Sequence, residues 1–331
     1  MNGQTINVTQ PAIDYCIQCQ RKVPYQTLVN TEQLTQKKFT VVQCQQCGLG
    51  WTVLPPNFDL TPFYPEEYYG NKNRRFHPLI EWLISFFRRS RSWMIMRKIP
   101  RGRILDVGCG RGLMLRELKR NGWDCYGTEY SPQAAQATSE VLNIPVYVTA
   151  DIASCRFQDG YFDVVSLWHV FEHIPNPQNI LKEIRRILKP RGVLIVEVPN
   201  LFSLQAKIAK GKWIHLDSPR HFFHYSIHNL KIILEANGFE VQSMRTLSFE
   251  FGPFGMLQSL LNLFFPQQDF IYFLMKNKAR KLNHLKTGAS LGKLLLLFFL
   301  LSPFILVSML LEFGASCLGR GGILRVIAKA I

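Results

Sequence analysis

The chain has 331 residues, 47% of them hydrophobic, with 39 Lys or Arg against 23 Asp or Glu and eight cysteines. That length exceeds one typical domain, and that apolar content suffices for a sizeable core, so a main fold with additions is expected and a coreless chain is excluded. The formal charge of +16 asks for an anionic partner, and the placement of the basic residues decides which kind.

The opening stretch, MNGQTINVTQPAIDYC, is polar and lacks a charged start followed by an apolar run. No secretory signal is expected, and the chain is expected in the cytoplasm. Four cysteines follow as two CxxC pairs, Cys16 with Cys19 and Cys44 with Cys47, separated by 24 residues. Two such pairs read as a four-thiolate tetrahedral site for one structural zinc, and Gly48 permits the tight turn after the second pair. A pair of redox dithiols is the alternative, disfavoured in a reducing cytoplasm. A four-cysteine site leaves no open coordination position, so it would hold a module folded and do no chemistry. The strand-like KKFTVVQC leads into the second pair. Beyond it, CGLGWTVLPPNFDLTPFYPEEYYGN lacks helical periodicity, and its prolines and aromatics predict an ordered arm.

Residues 72–103 carry ten Lys or Arg and one acid, Glu81, beside the apolar HPLIEWLISFF. The stretch RILDVGCGRGLML then joins a short apolar run to three glycines and a helical pattern that stops at Asn121-Gly122. It predicts strand, glycine turn and helix. The loop does not end in Lys-Ser or Lys-Thr, and it does not spell G-x-G-x-x-G, so neither a phosphate-cradling loop nor a dinucleotide fingerprint is present. It spells D-x-G-x-G-x-G. An acid at Asp106, just before Gly108, Gly110 and Gly112, disfavours a pyrophosphate and suits a ligand with an ammonium group. WDCYGTEYSP reads as a second strand ending in Glu129, a carboxylate placed about 20 residues beyond the loop to accept ribose hydroxyls. PVYVTADI is a third strand, ending at Asp151, and FDVVSLWHV a fourth, ending near Trp168 and His169.

Taken together, DVGCGRG, GTEYSP, TADI, FDVVSLWHVFEHIPNP and ILKEIRRILKPRGVLIVEVPN resemble the class I S-adenosylmethionine-dependent methyltransferases across residues 103–200. The resemblance implies an α/β fold, a Rossmann-like sheet with helices on both faces. It implies that Gly108, Gly110 and Gly112 line the methionine part of S-adenosylmethionine with Asp106 nearby. Glu129 would hold the ribose, Asp151 and Ile152 would edge the adenine, and Trp168 would close the pocket. The zinc pairs with the CGL and proline-tyrosine stretch are similar to an N-terminal element of methyltransferases that act on sugars and surface polysaccharides.

The acceptor is expected beyond the fourth strand. His169, Glu172 and His173 are the candidates for moving its proton, since a histidine can take a hydroxyl proton near neutral pH. Alternatively, His173 and Pro175 merely shape the loop into the next helix. WIHLDSPRHFFHYS places His215, Asp217, Arg220, His221 and His224 in one polar loop, similar to the PRH loop of relatives of this family and suited to acceptor recognition. Arg220 could clamp a phosphate or carboxylate there. A metal held by these histidines is open, and nothing in their spacing demands it.

GFEVQSMRTLSF and GILRVIAKAI read as the last two strands of the sheet, with an apolar segment, Leu294 to Leu311, between them. Its 18 residues nearly match a hydrocarbon core of about 30 Å, yet both flanks belong to one sheet, so the chain must leave and return on the same side. Pro303 and flanking basic residues predict a re-entrant or in-plane hairpin, with a buried lid or a dimer surface as alternatives. Residues 266–331 hold nine Lys or Arg against Asp269 and Glu312. Because both basic zones adjoin aliphatic sequence, an anionic membrane surface at the inner face is the expected partner and nucleic acid is not. The division expected is a ribbon at 1–55, an arm and basic amphipathic helix at 56–100, a cofactor-binding core at 101–251, a hydrophobic insertion at 252–318 and a last strand at 319–331. The expected activity is methyl transfer to a glycan, nucleotide-sugar or lipid-linked saccharide acceptor. The EHIPNP loop also resembles O-methyltransferases of ubiquinone biosynthesis, which makes a quinone-type phenol the alternative acceptor. A non-catalytic scaffold that binds the cofactor is the alternative of another class.

Overall fold

The structure is a computed structural model that describes residues 13–32, 35–63, 78–265, 268–269, 271–272 and 291–331, without the side chains of 78–80 and 291–301. The end of the expected aromatic arm, from residue 64 on, and the basic stretch before the apolar segment therefore lie outside the described residues.

Around the first cysteine pair the strands are short, because the residues there form the knuckle turn. A two-residue pair, β1 (Tyr15–Cys16) with β2 (Arg21–Lys22), is followed by β3 (Tyr25–Thr31), β4 (Lys38–Cys44) and β5 (Gly50–Thr52). A helix, α1 (Pro78–Lys98), then leads to the main sheet; it carries Glu81 in its first turn and Arg97 and Lys98 in its last, complementing the helix dipole.

The main sheet begins with β6 (Arg103–Val107), α2 (Leu113–Arg120), β7 (Asp124–Glu129), α3 (Pro132–Leu142), β8 (Val146–Val148), β9 (Phe162–Trp168), α4 (Pro177–Ile187) and β10 (Leu188–Pro199). After β10 come α5 (Leu204–Ala209), β11 (Phe223–His224), α6 (Ile227–Ala236), β12 (Phe239–Arg245), α7 (Gly252–Phe264), α8 (Leu291–Cys317) and β13 (Ile323–Ala330). Local chemistry marks the helix starts. Ser131 accepts from the Ala134 N–H with Pro132 behind it, and Ser226 forms a reciprocal cap with Asn229.

The seven strands are ordered β12-β13-β10-β9-β6-β7-β8, with β13 antiparallel to both neighbours and the other pairs parallel. This is the Rossmann-like methyltransferase sheet. The order reverses at β6, so its carboxyl end opens a crevice between β7 and β9. Central strands are apolar on both faces, as parallel strands covered by helices must be. Alternation divides them into two cores, with Leu105, Val165, Leu194 and Val196 on one face and Ile104, Val164, Val193 and Ile195 on the other.

Strand β11 does not join this sheet. It completes a second, antiparallel one of order β11-β5-β4-β3, and Val42 and Trp51 of that sheet share a core with Leu105 and Val165. The ribbon is thus packed onto the larger fold. The chain between β12 and β13 holds α7 and α8, the latter containing Pro303. Among the described residues no helix is long and apolar enough to cross a membrane.

Helix α1 is locked over the sheet by charge. Arg91, 2% exposed, reaches Glu197 of β10 at 2.9 Å and Glu250 at 2.7 Å, and Arg325 of β13 meets the other oxygen of Glu197 at 2.6 Å. Breaking a buried pair on one side strands the remaining charge, so Glu197→Ala should cost about 3–5 kcal/mol in urea unfolding, and a paired Arg91→Met, Glu197→Leu replacement should recover much of it. A single-variant loss below about 1 kcal/mol, the level of a surface ion pair, would mean the network does not hold α1.

Candidate active site

The glycine turn after β6 is a cradle whose backbone only glycine holds without strain. Gly108, Gly110 and Gly112 all have φ between 53° and 68°. A Cβ at Gly112 would come within 2.6 Å of Thr138 and Leu142, whereas one at Gly110 would meet nothing within 4 Å. The loop therefore packs on α3 at its end and stays open at its middle. Glu129, at the end of β7, receives the Gly110 N–H at 2.9 Å and the Ser131 N–H at 3.1 Å. Asp106 is buried and accepts from Ser166 at 2.7 Å. Burial pushes its carboxyl up to about 6 against the pull of that bond and of Arg91 and Arg88.

Asp151 caps the short turn that follows β8, accepting from the Ala153 N–H at 3.1 Å, and Ile152 is buried behind it. Trp168 ends β9 with the Arg91 guanidinium 4.4 Å and the Arg325 guanidinium 5.3 Å from its ring centre. From outside, α1 clasps the cradle through Glu81 and Arg111 at 2.7 Å.

Immediately beyond β9 the chain turns sharply. His169 has φ 55°, a left-handed conformation uncommon for a residue with a Cβ and concentrated at functional sites. Its Nδ1 lies 3.4 Å from Glu172 and its Nε2 3.4 Å from Glu197, while Phe251 packs on the ring at 4.3 Å. Burial alone would lower the His169 pKa, but the two carboxylates outweigh it and raise the value above that of free imidazole. Glu172 is 1% exposed, and neither side-chain oxygen has a hydrogen-bond partner among the described residues.

The loop 215–224 brings its histidines to the same place. His221 holds its Nδ1 on the His215 carbonyl at 2.9 Å and sets its Nε2 4.0 Å from Glu172. His173 holds its Nδ1 on the Arg220 carbonyl at 2.9 Å, and its ring meets that of His221 at 4.6 Å. Donor atoms of Glu172, His173 and His221 fall within 4.8 Å of one another, close enough to share a proton or one cation. Burial pushes His215 and His224 down to about 3. Those two rings are therefore neutral near pH 7 and hold a proton only weakly there.

Arg220 is committed elsewhere. Its Nε spans both Asp217 oxygens at 3.0 Å, and its Nη1 meets Glu32 and the Phe63 carbonyl at 3.2 Å. With Asp217, it fastens the loop to the ribbon, so the phosphate or carboxylate clamp expected from sequence is not the arrangement found. Thr52 of β5 adds to the fastening. Its hydroxyl donates to the His221 carbonyl at 2.6 Å and lies 3.1 Å from His224 Nε2, and its N–H donates to the Phe222 carbonyl at 3.0 Å.

At the far end of the ribbon, Cys16 and Cys47 sulfurs are 3.5 Å apart and those of Cys19 and Cys44 3.9 Å. A tetrahedron with zinc–sulfur bonds of about 2.3 Å has edges of about 3.8 Å, so the four-thiolate set fits one such ion. The Cys44 sulfur also accepts N–H groups of Gln46 and Cys47 at 3.3 and 3.4 Å, and Gly48 has φ 77°. Gln20 takes a similar turn, φ 53°, after the first pair without being glycine.

Residues 74–244, just over half of the chain, match the methyltransferase domain family. The chain belongs to that family. It is similar to the 2-methyl-6-phytyl-1,4-hydroquinone methyltransferase of Synechocystis sp., 35% identical over 124 residues, which is 35% of this chain and 38% of that protein. It is also similar to the ubiquinone biosynthesis O-methyltransferase of Xanthomonas oryzae pv. oryzae, 30% identical over 134 residues, 37% of this chain and 54% of that protein. The chain therefore spans about half or less of the length of these relatives. A crystal structure of an S-adenosylmethionine-dependent methyltransferase from Archaeoglobus fulgidus aligns with a TM-score of 0.45 at 20% identity, over 73% of this chain and 94% of that one.

Arg91 and Glu197 within this methyltransferase domain, and Thr52 and Glu32 of the ribbon before it, border the candidate site and were missed by sequence reasoning. Arg91 is one basic residue among many in a basic stretch, and Glu32 and Thr52 are distant in sequence from the loop they hold. The hydroxyl of Thr52 is the hub of that attachment. Thr52→Val should loosen the loop by about 1–3 kcal/mol, the cost of leaving a buried polar partner unsatisfied. Hydrogen exchange of the 217–224 amides should rise accordingly, and unchanged protection would place the fastening elsewhere.

Proposed function

We propose that the protein is an S-adenosylmethionine-dependent methyltransferase acting on a hydroxyl of a quinone-type phenol. The observation that carries this reading is that the adjacent central strands β6 and β9 end, on the same side of the sheet, in the open glycine cradle and in the buried His169–Glu172 pair. The Phe251 ring packed on His169 suits an aromatic acceptor, and the hydroquinone and ubiquinone names of the two relatives favour the same class. Asp106, Gly108, Gly110, Gly112 and Glu129 would hold the cofactor, with Asp151, Ile152 and Trp168 bordering it. When bound, it supplies a methyl group already activated on a sulfonium.

The chain's own residues then have two tasks. They hold the acceptor oxygen in line, which can account for most of the rate, and they take its proton. His169 is the base in this reading; the proton passes from the acceptor hydroxyl to its imidazole, and Glu172 and Glu197 stabilise the imidazolium from 3.4 Å. Because those carboxylates raise the His169 pKa, the neutral base is lost as pH falls through a value above the ordinary 6.5 or so. The rate should rise with pH across that value. His169→Gln should lower kcat by about 10²–10⁴-fold while cofactor binding stays intact.

A glycan, nucleotide-sugar or lipid-linked saccharide is the second reading, favoured by the ribbon that shapes the 215–224 loop. Release of S-adenosylhomocysteine with a hydroquinone and with a nucleotide sugar, measured side by side, separates the two. Release with neither, from a protein that binds cofactor, would favour a scaffold. Calorimetric titration with S-adenosylmethionine should give binding that is lost in Glu129→Ala and Gly110→Arg. Affinity should also weaken as pH falls through about 6, where Asp106 gains its proton and no longer attracts an ammonium group, and Asp106→Asn should flatten that dependence. We further propose that Cys16, Cys19, Cys44 and Cys47 hold one structural zinc. Serine replacement of any of them should remove about one zinc per chain by metal analysis.

A further inference from the structure

We propose that the outward face of α8, together with the end of α7, seats the protein on an anionic lipid bilayer, with the helix lying in the membrane plane. The helix has its polarity reversed. Its buried stripe contains Ser308, Glu312 and Ala315, and Glu312 accepts from Gln205 at 2.9 Å and from the Gly322 N–H at 2.7 Å. Its exposed positions from 303 to 318 carry no charge at all and include Phe304, Leu306, Val307, Leu310 and Phe313. A helix facing water has the opposite arrangement, apolar inward and charged outward. Phe264 and Phe265, closing α7, are 73% and 53% exposed and extend the apolar surface. A contiguous apolar surface of this kind is rarely left to water on a monomer.

Charge selects the occupant. The sequence between 276 and 293, leading into α8, has six Lys or Arg and no acid. Basic residues beside an apolar helix face are drawn to anionic headgroups, each contributing to attachment. Pro303 within the helix, and Glu312 on its inward side, suit a helix lying in the interface.

The seat communicates with the candidate active site. Phe251, just before α7, packs on His169, and a Cβ at Gly255 would collide with the His215 ring. The seat itself does not depend on which acceptor is methylated.

Flotation of the full chain with phosphatidylcholine vesicles, with and without phosphatidylglycerol, tests the proposal. The protein should float with the anionic vesicles about tenfold better than with the neutral ones, less so at high salt. A Leu306→Asn, Leu310→Asn, Phe313→Ser variant with an unchanged circular dichroism spectrum should lose flotation about tenfold or more. Val141→Ser, at an exposed apolar position on α3, should not. A Val307→Trp variant should show a blue-shifted emission when anionic vesicles are added. Equal flotation of the triple variant, no shift at position 307, or a lipid-free dimer that the triple variant dissociates would overturn the bilayer seat.

Discussion

Glu197 is a carboxylate with no solvent exposure in the middle of a hydrophobic sheet, and an unpaired charge in such a place would cost several kcal/mol in desolvation. It is tolerated because Arg91, Arg325 and His169 surround it, which holds its pKa well below the usual carboxylate range despite burial. Each partner comes from a different element: α1, the last strand and the turn after β9. The charge therefore fixes three parts of the chain at one point beside the crevice. Arg91 also binds Glu250 and covers Trp168, so the start of α7 and the end of β9 are drawn into the same knot. The turn after β9 is thus held by this ion cluster as well as by the apolar cores on either face of the sheet.

The ribbon supports the other side of the chamber. Strand β11 pairs with β5 through Phe223 opposite Trp51 and His224 opposite Gly50. The 215–224 loop is consequently an edge of the small sheet as well as a wall of the chamber, and Phe222 donates its N–H to the Glu172 carbonyl at 2.8 Å. Loss of order in the cysteine knuckles would reach His221 through two strands and one hydroxyl. A module with no open coordination position can in this way matter to chemistry about which its own ligands do nothing.

Much of the cofactor cradle is legible in the sequence, because glycine at three spaced positions, an acid before them and another acid one βα unit later are requirements of backbone and charge at single sites. The strands are legible for a similar reason, since continuous apolar runs such as VLIV at residues 193–196 can only be buried on both faces. The chamber is less legible. EHIPNP gives no sign that Glu172 is fully buried or that His169 has a left-handed backbone, since both depend on Glu197 and on the loop that folds over them. Arg220 looks like an anion clamp until Asp217 and Glu32 are placed beside it. In α8 the composition announces an apolar segment, but only the packing shows that Ser308 and Glu312 face inward.

The unpartnered oxygens of Glu172 are the remaining tension in the chamber. A buried carboxylate lacking hydrogen bonds is costly unless a positive charge comes near it or a proton is added to it. His169 and His221 stand 3.4 and 4.0 Å away, neither in hydrogen-bond contact, and burial holds His221 well below the usual imidazole range. The local deficit of positive charge is thus relieved by a proton arriving on His169. In the proposed reaction, an acceptor hydroxyl that gives up its proton to His169 would supply that charge as its oxygen becomes nucleophilic, so the uncompensated Glu172 carboxylate would favour the transfer.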